Sequence, residues 1–545
     1  MTPSAHQDTF ARDRLPAQAD WPELRFDLPE LQFPERLNCA AALLDDAVAR
    51  KGWGPRACLV GADGQVWTYA QLQARADGIA HWLVSSQGLL PGQRVLLRSP
   101  NQPMLAACWM AVIKAGGIAV GTMPMLRAAE LGQIIDKAQI SHALCDRSLS
   151  EALLEAATSR PVLAHIGWFG QADDPQGIEQ QSQRGNGPFQ AVDTAADDVC
   201  LLAFTSGTTG QPKATMHMHR DVMAACQCFP PHVLRAQADD RFIGSPPLAF
   251  TFGLGGLLLF PMSVGAATVL LPKASPADLL AGIQRFGATV LFTAPTSYRA
   301  MADEVARQKL SAPLGGTLRK CVSAGEALPV ATRTLWREAT GLELIDGIGA
   351  TEMLHIFIAS DETHVRPGAT GQVVPGYQAC VLDDQLRPVP PGTIGRLAVK
   401  GPTGCRYLDD PRQKQYVQGG WNLTGDAYLM DEDGYFFYQS RTDDMIISAG
   451  YNIAGPEVED CLLRHPAVAE CAVIGVPDEA RGQIVKAFVV LKPGQPDDAD
   501  QVTALQAHVK AQIAPYKYPR AVVFRASLPR TETGKLQRFK LRAEG

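Results

Sequence analysis

Short apolar runs alternate along most of the chain with stretches in which apolar side chains recur every three or four positions. Arg94–Leu97, Val199–Phe204, Thr268–Leu271, Thr289–Phe292 and Leu342–Ile345 read as strands. Asp278–Arg285 and Arg333–Glu338, lying between such runs, have helical spacing. Strands and helices alternating in this way predict an α/β fold whose large N-terminal domain holds mainly parallel, helix-covered sheets. Toward the C-terminus the pattern becomes that of a small α+β unit. Val468–Val476, Ile484–Leu491 and Ala521–Phe524 read as strands there, and Ala499–Ile513 as a helix. That unit follows the turn-rich Asp431-Glu432-Asp433-Gly434, so the expected domains are 1–440 and 441–545.

One uncharged stretch, Ser245–Pro272, is long enough to span a bilayer. Pro261 and several glycines interrupt it and no basic cluster flanks it, so a buried helix followed by a buried strand is the better account. The N-terminal segment scatters charges and lacks an apolar core, the pattern of neither a secretory signal nor a transit peptide. At 545 residues, 46% hydrophobic and 19% charged, with no biased or repeated tract, the composition is that of a globular protein. Lys plus Arg number 50 against 56 Asp plus Glu, a net charge of −6 that gives no reason to expect nucleic acid or an anionic membrane as partner. The 12 cysteines form no paired CxxC motifs. Cys226 and Cys228, one residue apart, suit neither a local disulfide nor a zinc knuckle, so reduced thiols in a soluble cytoplasmic protein are expected.

The segment richest in chemistry is Thr205-Ser206-Gly207-Thr208-Thr209-Gly210-Gln211-Pro212-Lys213, directly after an apolar strand. Its glycines let the backbone turn tightly against a ligand, its hydroxyls and amides can donate to phosphate oxygens, and Lys213 adds positive charge. It is no Walker loop, because it has no Gly-Lys pair; the one such pair, Gly534-Lys535, has Pro529 where the leading glycine belongs. Nor does a dinucleotide GxGxxG occur: Gly347-Ile348-Gly349 runs on to Glu352, and Gly253-Leu254-Gly255 to Leu258.

This loop resembles the phosphate loop of adenylate-forming enzymes, the group of acyl- and aryl-CoA synthetases, peptide-synthetase adenylation domains and luciferases. The resemblance recurs in order at Gly349-Ala350-Thr351-Glu352, Leu423-Thr424-Gly425-Asp426, Arg441-Thr442-Asp443-Asp444 and Pro529-Arg530-Thr531-Glu532-Thr533-Gly534-Lys535. It implies an enzyme that uses ATP, Mg²⁺ and coenzyme A. Carboxylate attack on the α-phosphate brings two anions together, so such a site must supply positive charge and oriented donors.

By resemblance, Lys535 bridges the carboxylate and the α-phosphate, Thr351 hydrogen-bonds that phosphate, and Glu352, with Thr205, holds the metal, a hard ion that prefers oxygen ligands. Asp426 takes the ribose hydroxyls with support from Arg441, while Ala324-Gly325-Glu326 and Asp346-Gly347 line the adenine. Asp443 is the implied hinge about which the C-terminal domain rotates between the two half-reactions, and Gly450 lines the pantetheine channel.

Asp346–Phe357, reading DGIG-A-TEMLHIF, resembles the benzoate-CoA ligase branch. So do Phe250-Thr251-Phe252-Gly253-Leu254-Gly255 and Phe260-Pro261-Met262-Ser263-Val264-Gly265, and the opening Thr9–Pro16 looks like that of 2-aminobenzoate-CoA ligases. The implied acid is aromatic. Phe252 and Phe260 offer flat apolar walls, and Gly253, Gly347 and Gly349 are expected to leave room for a planar ring, with Ala324 and Ala350 beside it. Thr251 or His355 would then accept a hydrogen bond from an ortho-amino group. Two positions depart from the family pattern: Ala214 follows Lys213 where glycine is usual, and Asp346 replaces a common aromatic. The implied function is a 2-aminobenzoate-CoA ligase, monomeric or homodimeric. A benzoate-CoA ligase, or a stand-alone adenylating enzyme that loads a carrier protein, is the alternative.

Overall fold

The computed structural model describes residues 3–184, 187–206, 212–308, 316–441, 444–448, 451–478, 481–530 and 536–544. The apolar runs build two large sheets. Among the described residues one has nine strands, in the order Gln372–Val373, Ile356–Ala359, Leu344–Gly349, Lys320–Ser323, Val290–Thr293, Arg241–Gly244, Ala267–Leu270, Ala57–Gly61 and Val66–Thr68. Its central neighbours, from Leu344–Gly349 to Ala57–Gly61, are all parallel. The other has six, in the order His165–Phe169, His142–Asp146, Arg94–Arg98, Ile118–Thr122, Val199–Ser206 and Pro212–Met218, with only the last strand antiparallel.

The expected strands lie within a residue or two of those observed, except at one site-bearing element. Leu342–Ile345 is in fact Leu344–Gly349, continuing through the glycines of Asp346-Gly347-Ile348-Gly349. Glycine disfavours strand, but Ile356–Ala359 pairs with this segment and supplies its hydrogen bonds. Ser245–Pro272 forms a broken helix, Thr251–Leu254, Gly255–Leu259 and Phe260–Val264, then the buried strand Ala267–Leu270. Pro261 is the second residue of the last helical piece, in the first turn, where proline is tolerated. Among the described residues no helix is long and apolar enough to cross a membrane.

A third sheet, entirely antiparallel, holds Gln378–Leu382, Gly395–Lys400, Trp421–Met430, Val417–Gln418 and Phe436–Arg441. It sets Asp426 opposite Arg441. The chain reaches it at Gly371, whose carbonyl accepts from the Phe436 amide of the third sheet at 2.8 Å, while the preceding Thr370 amide donates to the Phe436 carbonyl at 2.8 Å. Gly371 has φ +143°, and a Cβ there would lie 1.9 Å from the carbonyl carbon of Ala359 in the nine-stranded sheet. The two sheets therefore meet at a point with no room for a side chain.

In the smaller C-terminal part the central strand Gly482–Leu491 pairs antiparallel with Val468–Asp478 and parallel with Ala521–Phe524, covered by the helices Gly455–Leu463 and Ala499–Gln512. It has its own core, including Ile446, Val458, Leu462, Val485 and Leu505. Against the main body, the Ala331 amide donates to Asp460 at 3.1 Å, and Arg530 reaches Glu326 at 3.2 Å.

Gly371→Ala should cost about 2 kcal/mol or more by overpacking the seam between sheets. Chemical denaturation of the purified variant checks this, and an unchanged midpoint would contradict it.

Candidate active site

The two described ends of the glycine-rich segment belong to the antiparallel strands Val199–Ser206 and Pro212–Met218, in which Thr205 faces Lys213. Gly207, Thr208, Thr209 and Gly210 lie outside the described residues, as does the side chain of Ser206. The hairpin aims Lys213 at Glu352: Nζ donates to Glu352 Oε1 at 2.6 Å and to the Tyr407 hydroxyl at 2.6 Å, and that hydroxyl donates to the same Oε1 at 2.5 Å. Burial opposes the charge of Glu352, yet Lys213 and the two hydrogen bonds hold the carboxyl below its ordinary range. Glu352 sits in the short turn Thr351–Met353, preceded by extended Ala350. Next, Leu354 adopts φ +69°, an unusual conformation for a side-chain-bearing residue. That kink separates Glu352 on one side from His355 on the other.

Behind this cluster lies a buried polar layer that contains none of the residues expected from sequence. His217 Nε2 donates to the Thr351 carbonyl at 2.8 Å, and its Nδ1 lies 3.8 Å from Asp221. Arg406 donates to Asp221 at 2.6 Å. All three side chains are buried. Despite that burial, Arg406 and its neighbours hold the Asp221 carboxyl down at about 2. The next residue after Arg406 is Tyr407. Thr351 and Glu352 are thus each tied, by His217 and Lys213, to the same strand.

Asp426 and Arg441 face one another on the third sheet, with Nη1 to Oδ1 at 3.0 Å, and Nη1 also donates to the Thr424 carbonyl at 3.1 Å. Ala324 is buried at the end of Lys320–Ser323, Gly325 is exposed, and Glu326 is gripped by Arg530 of the C-terminal part. Asp346 is buried on the adjacent strand. Burial pushes its carboxyl up to about 7, against the opposing pull of Arg333.

His355 is caged by rings. Phe260 lies edge-on at 4.4 Å between centroids, Phe252 is at 5.5 Å, Phe229 at 5.8 Å and Phe292 at 6.3 Å. Its Nε2 donates to the Phe252 carbonyl at 3.3 Å, and its Nδ1 is buried without a partner. Burial lowers its pKa to about 3, so the ring is neutral and Nδ1 is a free acceptor. Phe252, Phe260 and His355 therefore come together as expected. Thr251 does not join them. It lines a cavity of about 20 Å³ with Gly121, Thr122, Leu201 and Leu258, room for about one water.

The glycines require a correction. Space for a ring does not open at Gly253, Gly347 or Gly349: a Cβ would meet the Pro247 carbonyl at 2.1 Å, the Ile356 side chain at 2.9 Å and the His355 carbonyl at 2.8 Å. They allow protein segments to pack closely, and the neighbours already occupy the volume.

Lys535, Asp443 and Gly450 lie outside the described residues. Arg530 and Leu536, which flank the lysine segment, pair with each other. All 12 cysteines are free, and all but Cys380 and Cys471 are buried. Cys39, Cys200 and His219 form a buried group of metal-ligand type, but His219 Nδ1 already accepts the Cys39 amide at 3.1 Å. That nitrogen is a satisfied core acceptor.

Two hydroxyls beside the Lys213 cluster, of Thr205 and Tyr416, are buried without a partner. With an ionised Glu352, these oxygens have the chemistry to receive a hard divalent cation and phosphate oxygens.

Comparison with known proteins bears on this arrangement. Residues 44–406 match the family described as AMP-binding enzyme, and residues 457–535 match the AMP-binding enzyme C-terminal domain. The benzoate–CoA ligase of Thauera aromatica is 33% identical over 524 residues, covering 94% of this chain and 97% of its own. The structure of the anthranilate CoA ligase AuaEII in complex with anthranoyl-AMP superposes with a TM-score of 0.89 at 34% identity, covering 95% of this chain and 99% of its own. A benzoate CoA ligase from Burkholderia xenovorans LB400 gives 0.84 at 30% identity, covering 93% and 100%.

Asp346 predicts a pH signature. A folded-state pKa near 7 lies above the ordinary carboxylate value, so the native protein retains a proton that the unfolded chain releases. Stability contributed by the protonated form is lost as pH rises toward 7. Asp346→Asn should therefore raise the thermal midpoint relative to wild type by about 2 °C or more at pH 8, with the gap shrinking toward pH 4. Scanning calorimetry at both pH values checks it; a gap that is constant with pH would contradict the assignment.

Proposed function

We propose that this chain, which belongs to the AMP-binding enzyme family, in its benzoate-CoA ligase branch, and is an AMP-forming acid–thiol ligase, takes 2-aminobenzoate as its acid. The observation that carries the chemistry is the buried Lys213–Tyr407–Glu352 cluster beside the glycine-rich hairpin. It supplies positive charge, an ionised carboxylate and oriented donors at one place, as phosphoryl transfer between two anions demands.

In this reading the acid's carboxylate oxygen attacks the α-phosphorus of ATP, and pyrophosphate departs with the electron pair of the broken P–O bond. The coenzyme A thiol, losing its proton to solvent, then forms the C–S bond at the acyl carbon, and AMP leaves with the electron pair of the broken acyl C–O bond. Thr351 donates to the α-phosphate, and Lys213 follows the loop that holds the phosphates. Glu352 and Thr205 would hold Mg²⁺, which when bound neutralises phosphate oxygens and the leaving pyrophosphate. Asp426 accepts from the ribose hydroxyls while Arg441 keeps its carboxylate oriented. Ala324-Gly325-Glu326 and Asp346-Gly347 line the adenine. Lys535 bridges the two reacting anions, and rotation about Asp443 withdraws it so that the thiol can approach past Gly450. The domain boundary falls at residue 441, beside that hinge.

For the acid, the aromatic cage supports an aryl ring, and the unpartnered Nδ1 of His355 supports an amino group. A buried acceptor left unsatisfied discriminates against ligands that cannot donate to it. Of the two polar candidates, His355 is the one we assign to that role, because Thr251 faces a void too small for a ring.

Pyrophosphate exchange over benzoate, its 2-amino, hydroxy and fluoro derivatives, phenylacetate and acetate should rank 2-aminobenzoate first, with thioester formed on free coenzyme A and no carrier protein. His355→Phe should lower kcat/KM for 2-aminobenzoate about tenfold more than for benzoate. An unchanged ratio would remove the amino assignment, and no exchange with any acid would remove the whole reading.

Lys535→Ala should slow adenylate formation by about 100-fold or more, while thioester formation from supplied aryl-adenylate stays within about threefold of wild type. Equal losses in both half-reactions would count against a lysine that serves only the first.

A further inference from the structure

We propose that Tyr407 is a positioning residue that keeps the Glu352 carboxylate in place while Lys213 transfers its charge to the nucleotide; this rests on the adenylating reading above and deepens it. As the protein stands, three polar groups close a triangle. Lys213 donates to Glu352 Oε1 and to the Tyr407 hydroxyl, and the hydroxyl donates its single proton to the same Oε1. Lys213 has two claims on its charge, since it also ends the glycine-rich segment that, in the adenylating reading, receives the phosphates. A triphosphate carries several negative charges against one on Glu352, so Coulomb attraction draws the ammonium toward the nucleotide when it arrives. Glu352 then needs a new counter-charge, and a divalent cation provides it.

During that exchange the hydroxyl is the contact that does not change. Being neutral, it can donate to the carboxylate whichever cation is present. With Oε1 engaged, Oε2 is left for the incoming ion.

The ring is built to stay put. Tyr407 is 1% exposed, and the Tyr416 ring meets it edge-on at 5.9 Å between centroids. Its own amide donates to Gln413 Oε1 at 2.9 Å, and on either side the Leu408 amide donates to the Ala214 carbonyl at 2.9 Å and the Arg406 carbonyl accepts from Met216 at 2.7 Å. The phenol is thereby fixed to the strand that carries Lys213. Without the hydroxyl, the carboxylate would be held by Lys213 alone and would follow it.

Tyr407→Phe keeps the ring and removes one oxygen. Wild type and variant, each with ATP held below the protein concentration and no acid, are titrated with Mn²⁺ while free Mn²⁺ is followed by electron paramagnetic resonance, with the uptake by ATP alone subtracted. The expected result is a Kd for Mn²⁺ raised about tenfold in the variant, with the Mg²⁺ requirement of pyrophosphate exchange raised in step. Thioester formation from supplied 2-aminobenzoyl-adenylate, which needs no metal, should stay within about twofold. Equal Mn²⁺ affinity in the two proteins overturns the proposal, as does a parallel fall of both half-reactions with the thermal midpoint, the mark of a purely structural role. If wild type takes up no Mn²⁺ with ATP, the adenylating reading itself fails and takes this inference with it.

Discussion

A single carboxylate has to remain charged where water scarcely reaches. Burial on its own would protonate Glu352, and a neutral acid neither holds an ammonium nor serves as a ligand for a hard cation. Lys213 and Tyr407 reverse that tendency with a charge and two hydrogen bonds. Lys213 belongs to the six-stranded sheet, and Glu352 follows the Leu344–Gly349 strand of the nine-stranded one. The ion pair is therefore also a bond between sheets, and the electrostatic demand of the site helps decide how they meet.

Around that bond, the supporting residues arrange themselves in consecutive pairs. His217 grips the carbonyl of Thr351 while Lys213 grips the side chain of Glu352. Arg406 satisfies Asp221 while Tyr407 satisfies Glu352. A fully buried Arg–Asp pair adds little net stability once desolvation is counted, and loss of either partner is costly. Its value here is geometric: it fixes where the strand, the turn and the 406–407 segment stand relative to one another.

Much of this was legible in the chain. The parallel strands announced themselves as compact apolar runs, and Val199–Ser206, Arg94–Arg98 and Ala521–Phe524 lie close to where periodicity places them. The antiparallel third sheet did not, because strands such as Trp421–Met430 interleave Asn422, Thr424 and Asp426 with their apolar residues and are interrupted by Gly425. At the site, the glycine-rich segment pointed to Lys213, and the family resemblance implied Glu352, Asp426 and Arg441; the structure places these four in two hydrogen-bonded pairs. His217, Asp221 and Arg406 escaped notice because a polar residue inside an apolar run signals nothing until its partner is known. The glycines misled in the opposite direction: the absence of a side chain looked like vacancy, whereas neighbouring backbone and, at Gly347, the Ile356 side chain had taken the volume.

Arg530 reaches two carboxylates at once, Glu326 of the main body and Glu470 of the C-terminal part. Any swing that parts the two bodies must give up the first contact while keeping the second. The work of that swing is thus subtracted directly from whatever Glu326 and its neighbours hold. By thermodynamic reciprocity, any ligand whose affinity depended on that contact and the relative placement of the two parts would influence one another to the same degree.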